Sequence, residues 1–143
     1  MRRRSCNFIW TYKASATSHS SCVTWSAWPR SYAKGLGARE VYDSHNRNFS
    51  LSREKFFLLG GVWLAAMEGA PPTRQTYQHV AFKVAESDLP LYEAKLQALG
   101  VEIRPPRSRV DGEGQSLYVY DFDNHLFELH TGTLEQRLER YIM

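Results

Sequence analysis

The stretch YVYDFDNHLFELHTGTLEQR, residues 118–137, decides the fold, because its alternation sets one carboxylate among apolar neighbours. Read with period 2, Leu126, Glu128 and His130 share one strand face, and His125, Phe127 and Leu129 share the other. Glu128 therefore projects into whatever Leu126 helps to line. A carboxylate taken out of water without a partner costs several kcal/mol or takes up a proton, so a cation, most simply a metal ion, is its natural complement. A glutamate on an edge strand facing water satisfies the same alternation and stays open as the plain alternative.

Working outward, QSLYVYD and HLFELH read as two strands joined by the tight turn FDN. Thr133 with Gln136 three residues on is a capping-box pattern, which starts a terminal helix through Leu134, Leu138 and Tyr141. Upstream, TYQHVAFKV at 76–84 alternates as a strand. A helix follows in LPLYEAKLQAL, with Ser87 as N-cap, Gly100 as C-cap and an apolar stripe of Leu89, Tyr92, Leu96 and Leu99. VEIRPPRSRVDGEG, rich in Pro, Gly and Arg, reads as a loop. The order from 76 to 130 is strand, helix, then two or three strands, which is one βαβββ module. FSLSREKFFLLGGVWLAAMEG at 49–69 reads as two further strands turning at Gly60 and Gly61, the later part of an equivalent module.

At 143 residues the chain suits one domain, or two small repeated modules sharing a sheet, and it is long enough to bury a core. No apolar run approaches 18 residues, and the longest candidate, 56–67, is broken by Gly60 and Gly61, so a spanning helix is not expected. The net charge of +3 suggests a nucleic-acid binder only on average. Residues 1–35 hold six Lys or Arg and no acid, whereas residues 36–143 hold twelve bases against all fifteen acids and are mildly acidic. No nucleic-acid or membrane partner is expected. Cys6 and Cys22 form no CxxC or Cys/His pattern, which argues against a disulfide framework or zinc site and fits a reduced, cytoplasmic setting.

Residues 1–35 differ from the rest. They carry three of the four tryptophans and seven serines, with neither helical nor strand periodicity sustained. An Arg-rich, Ser-rich, acid-free segment is also the composition of an organelle transit peptide, but the tryptophans and Pro29 spoil an amphipathic helix. The chain thus divides into an aberrant segment, 1–35, and an orderly domain, 36–143.

Two such modules, with a histidine in the first strand of the second and a glutamate in its last, resemble the vicinal oxygen chelate superfamily of glyoxalase-like proteins. More narrowly, FSLSREKFFL, YQHVAFKV, GEGQSLYVYDFDNHLFELHTGTL and EQRLERY resemble the FosX family of fosfomycin-resistance epoxide hydrolases, over about residues 36–143. The resemblance implies an α+β fold of paired βαβββ modules, a bound Mn(II), a small phosphonate epoxide such as fosfomycin as substrate, and a homodimer. It makes His79 and Glu128 two of three protein ligands of the metal. Imidazole nitrogen and carboxylate oxygen both suit Mn(II), and three protein ligands leave positions open for substrate. His79 alone could equally be a satisfied strand histidine.

The same resemblance makes Glu54 the general base that takes a proton from the attacking water. By itself Glu54, between Arg53 and Lys55, reads as a solvated surface charge. For the phosphonate it points to Arg137, Ser116 and Tyr118, with Arg109 and the backbone of Gly112 and Gly114 as weaker candidates; guanidinium and hydroxyl groups give an oxyanion directed hydrogen bonds. Arg104, Arg107 and Arg109 also read as a solvated basic loop. Trp63 and Tyr77 match positions lining the substrate pocket, and both also suit a core. His125 and His130 read as structural. A thiol transferase adding glutathione or bacillithiol to the same epoxide, and a non-catalytic ligand-sequestering protein on the same fold, are the alternatives, and Glu54 favours hydrolysis.

The family's third ligand is a histidine in the opening strand, within a pattern like GLSHITFIV followed by a helix beginning RDL. Residues 1–35 lack that pattern, and their only histidine, His19, sits in SATSHSSCV. If the codons for Ala14 to Gly35 are read two bases later, synonymous choices exist that spell LSHITFIVRDLERMAAILREG. The segment is therefore expected to be a frame-shifted reading restored near Gly35, and the chain as written to be impaired by loss of the first metal histidine and of the module's opening strand and helix.

Overall fold

The computed structural model describes residues 18–22, 29–106 and 111–142. Among them the chain forms two four-stranded sheets of like construction. The first contains β1 (Ser18–Cys22), β2 (Arg39–Asp43), β3 (Glu54–Leu59) and β4 (Val62–Glu68) in the order β1-β4-β3-β2. The second contains β5 (His79–Lys83), β6 (Glu102–Arg104), β7 (Ser116–Tyr120) and β8 (Leu126–His130) in the order β5-β8-β7-β6. In each sheet the opening strand pairs in parallel with the closing strand and the other pairs are antiparallel. The two orders match position for position, which is the paired βαβββ architecture expected from the sequence.

Local chemistry sets the element ends. Gly60 and Gly61 turn β3 into β4 with φ of 56° and 85°, a left-handed region that costs glycine nothing. The helix α1 (Leu89–Leu99) ends on Gly100 at φ 74°, as expected. Its start differs: Glu86–Asp88 form a tight helical turn, so Asp88 and not Ser87 occupies the N-cap, and no side-chain cap bond forms. The Ser87 hydroxyl bonds the Asp88 carboxylate instead, at 3.2 Å. The capping box of α2 (Leu134–Ile142) is complete: the Thr133 N–H donates to Gln136 Oε1 at 2.8 Å, and the Gln136 N–H donates to Thr133 Oγ1 at 3.2 Å.

Two segments hold structure that their sequences do not announce. β6 lies inside the stretch read as loop, where three residues pair with β7 before Pro105 and Pro106 end the ladder. β1 lies inside the segment that shows no strand periodicity, and fills the parallel edge beside β4 from Ser18 opposite Leu64 to Cys22 opposite Glu68. A parallel ladder is made of backbone groups, so an open edge accepts a strand whose side-chain pattern is poor. A single wide helical turn, Pro29–Gly35, stands where an opening helix is expected.

One core joins the sheets. Phe57, Leu59, Leu64 and Ala66 from the first meet Phe82, Leu117, Val119, Phe127 and Leu129 from the second, with Leu96 from α1. Tyr32 is 1% exposed between them, stacked on Phe57 at 5.6 Å and edge-on to Phe127 at 5.3 Å. The opposite row of the second sheet is a separate small cluster of Tyr118, Tyr120 and Leu126. Glu128 belongs to that row.

Candidate metal centre

β8 is an inner strand, flanked by β5 and β7, and Glu128 is 5% exposed. That removes the edge-strand reading. Ala81 lies opposite Glu128 on one side and Tyr118 on the other. His79, two residues before Ala81, shares their face and reaches diagonally across, so its Nε2 stands 3.0 Å from Glu128 Oε2.

The tautomer follows from the other ring nitrogen. His79 Nδ1 lies 2.8 Å from the Tyr77 carbonyl oxygen, which can only accept, so Nδ1 carries the proton. In a neutral imidazole Nε2 then presents a lone pair to a carboxylate oxygen that also presents lone pairs. Two acceptors 3.0 Å apart need a cation between them, either a proton on Nε2 or a metal ion. A histidine whose far nitrogen is tied to a carbonyl is also the usual arrangement of a metal-ligating imidazole. His79 and Glu128 therefore fit a divalent ion. Among the described residues no group of three or more His, Cys, Asp or Glu completes the set.

The remaining candidates divide into those beside this pair and those apart from it. Tyr118 sets its ring edge-on to His79 at 5.6 Å, and its hydroxyl lies 3.4 Å from that of Tyr77. Tyr77, 55% exposed, packs its own ring against His79 at 5.0 Å and leaves the mouth of the site open. Ser116 is bonded to Glu128 and to His130 Nδ1, the latter at 2.8 Å, so its single hydroxyl proton is committed to the carboxylate. Arg137 lies in the first half of α2, its N–H bonded to the Thr133 carbonyl at 3.2 Å. Arg109 and Arg107 lie outside the described residues. Arg104 lies over the Tyr120 ring, 5.8 Å from its centroid.

Glu54 and Trp63 lie in the other sheet. Glu54 opens β3 opposite Met67, and its N–H is bonded to the Ser44 hydroxyl at 3.0 Å. Among the described residues no hydrogen bond or ion pair joins it to His79 or Glu128. Trp63 lies on the same sheet face, opposite Leu58, and its Nε1–H is buried with no hydrogen-bond partner among the described residues. β1 places His19 in register with Ala65, in the row that runs from Trp63 to Met67.

Of the two histidines read as structural, His125 is: its Nδ1 lies 3.0 Å from Asp121 Oδ2, and Asp121 also takes the His125 and Asp123 N–H groups to close the β7–β8 turn. His130 is not only that, because it shares Ser116 with Glu128. The signal was available, since its two-residue spacing from Glu128 puts both on one face.

A mixed sheet that closes each half with a parallel outer strand defines a glyoxalase-like fold. A solved glyoxylase/bleomycin resistance protein/dioxygenase domain from Frankia has this fold, with a TM-score of 0.68 at 21% identity, over 86% of this chain and 100% of that one. No family model matches the chain. The fosfomycin resistance protein FosX of Listeria monocytogenes is 56% identical over 106 residues, 74% of this chain and 80% of that protein. A crystal structure of a mutant of Listeria monocytogenes FosX, complexed with Mn(II) and 1S,2S-dihydroxypropylphosphonic acid, superposes with a TM-score of 0.77 at 45% identity, over 86% of this chain and 93% of that one. The chain belongs to the FosX family of fosfomycin resistance proteins.

Proposed function

We propose that this protein inactivates fosfomycin by adding water to its epoxide, with Mn(II) held by His79 and Glu128 and with Glu54 as general base. The observation that carries the reading is the pair of facing acceptors, His79 Nε2 and Glu128 Oε2, 3.0 Å apart. When bound, Mn(II) supplies Lewis acidity that draws charge from the epoxide C–O bond. Glu54 accepts a proton from the attacking water as the new C–O bond forms and the ring C–O bond breaks; the ring oxygen, released as an alkoxide, takes a proton from solvent to end as a hydroxyl, and Glu54 returns its own to solvent. The product is the diol, a dihydroxypropylphosphonate of the kind bound in the FosX crystal structure. Tyr118 and Tyr77 hydroxyls beside the pair, and the guanidinium of Arg137, suit a phosphonate.

Glu54 and the His79–Glu128 pair lie on sheet faces turned away from the shared core, which supports a second copy of the chain as the source of the carboxylate at each metal site. The open mouth at Tyr77, 55% exposed, supports this pairing. Mixing Glu54→Gln chains with Glu128→Gln chains then restores activity that neither has alone, whereas a site complete within one chain gives no such recovery. Phosphorus NMR of fosfomycin incubated with Mn(II) and no thiol tests the chemistry. Diol formation that falls about 10²–10⁴-fold in Glu54→Gln supports hydrolysis; turnover only after a thiol is added would mean a transferase, and binding without turnover a sequestering protein.

The third ligand belongs to the segment before Gly35, which reads as a shifted frame. Two observations support that reading. The β1 register puts Ser18 and Ser20 in line with Leu64 and Ala66, which are 2% and 1% exposed in the core, and Ser31 Oγ is buried with no hydrogen-bond partner among the described residues. Synonymous choices exist with which the alternative frame spells isoleucine, phenylalanine and isoleucine at positions 18, 20 and 31, and histidine at the codon spanning Ala16 and Thr17. With those choices it sets hydrocarbon in place of a hydroxyl at the buried position 31 and at the two register positions beside Leu64 and Ala66. Sequencing the gene decides the matter: a stop codon in that frame ends the idea, and a chain carrying the restored segment is expected to bind Mn(II) more tightly and melt higher.

A further inference from the structure

The hydrogen bonds around Glu128 have only one consistent direction. A carboxylate accepts, so the Ser116 hydroxyl donates its one proton to Glu128 Oε1. Ser116 Oγ is then left as an acceptor, and the His130 Nδ1 at 2.8 Å must be the donor. His130 Nδ1 is itself 3.7 Å from Glu128 Oε1, too far for a direct bond, so the hydroxyl bridges the two. The strand register builds this row: Ser116 lies opposite His130 and Tyr118 opposite Glu128, so all four polar side chains fall on one face of β7 and β8.

The strand pairing and the neighbouring backbone hold the imidazole in place. The backbone carbonyl of His130 accepts the Val84 N–H at 2.9 Å. Its Nε2 side lies over Gly132, where a Cβ would stand 2.6 Å from Nε2. The ring is only 14% exposed. A fixed donor, a fixed hydroxyl and a fixed carboxylate oxygen leave Oε2 facing His79 and resist rotation of the Glu128 carboxyl group.

We infer that His130 is a positioning residue, which acts through Ser116 to orient the Glu128 carboxylate toward His79. Resting on the reading of His79 and Glu128 as a metal pair, it gives Ser116 the task of holding the ligand in place of donating to the substrate phosphonate. Outer partners of this kind change metal affinity about 10–100-fold.

Nitrogen NMR of the metal-free chain tests the direction of the relay. His130 is expected in the Nδ1–H tautomer, lost in Ser116→Ala; an Nε2–H ring in the parent chain overturns the inference whether or not the protein binds metal. Mn(II) titration by calorimetry then reads the consequence. His130→Phe is expected to weaken binding about 10–100-fold, and His130→Asn, which keeps a side-chain N–H donor, to recover most of it, with cooperative metal-free unfolding showing that both variants are folded. In a Ser116→Ala background His130→Phe should weaken binding no further. Asn no better than Phe, or additive losses, would overturn the relay. A parent chain with the expected tautomer but no affinity for Mn(II) would instead overturn the metal reading, leaving the carboxylate relay in place.

Discussion

Replacing Glu128 by Gln should move stability in opposite directions with and without metal. In buffer containing a chelator, whenever no proton sits on His79 Nε2, the ring and the Glu128 carboxylate are two acceptors facing across 3.0 Å, at a carboxylate only 5% exposed. An unmade hydrogen bond of a buried polar group costs about 1–3 kcal/mol. The glutamine amide has nearly the same shape, and one of its N–H groups can donate to His79 Nε2 while its carbonyl accepts from Ser116. For a chain of this length, about 2–4 °C per kcal/mol, the metal-free variant should melt about 2–12 °C above the parent. With Mn(II) the order reverses. At a metal concentration of about 100 times its Kd the parent gains about 2.7 kcal/mol, and a 100-fold loss of affinity cuts that gain to about 0.4 kcal/mol. Thermal unfolding followed by circular dichroism, with chelator and with Mn(II), reads both numbers. A variant that melts lower without metal, or that keeps the full gain from Mn(II), would refute the facing-acceptor argument.

Other outcomes follow from the core and its rim. Phe57→Ala, at a ring that is fully buried and stacked on Tyr32, should cost about 3–5 kcal/mol in denaturant unfolding. Thr133→Ala breaks the capping box of α2 and should cost about 1 kcal/mol by the same assay. Asp43 gives a pH signature. Burial pushes its carboxyl up, but the bond from Lys55 at 2.7 Å, the His45 N–H and the charges of both outweigh that, and its pKa is lowered. A lowered pKa contributes stability above the unfolded carboxylate's value near 3.9, lost as pH falls through the folded value; Asp43→Asn should therefore flatten the acid limb of stability below about pH 4.

Much of this was legible in the chain itself, and the exceptions have physical causes. Alternation in 118–130 announces β7 and β8, and puts Glu128 with Leu126, because a half-buried strand displays its two faces as two residue classes. Gly60–Gly61, Gly100 and the Thr133–Gln136 pair mark their turn and helix ends, because those positions demand particular backbone angles or donors. β6 is hidden, since three residues before two prolines show no period and only β7 gives them a ladder. β1 is hidden because serine stands at its core-row positions. The separation of Glu54 from His79 is a matter of which sheet each strand joins, and nothing in either strand's own residues states it.

A crystal of the protein soaked in Mn(II), with anomalous scattering recorded at the manganese edge, tests the metal pair most directly. A single strong peak bonded at once to His79 Nε2 and Glu128 Oε2 is expected, with Ser116 still on Oε1. Manganese density elsewhere, or these two side chains turned apart with the ion between neither, would contradict it.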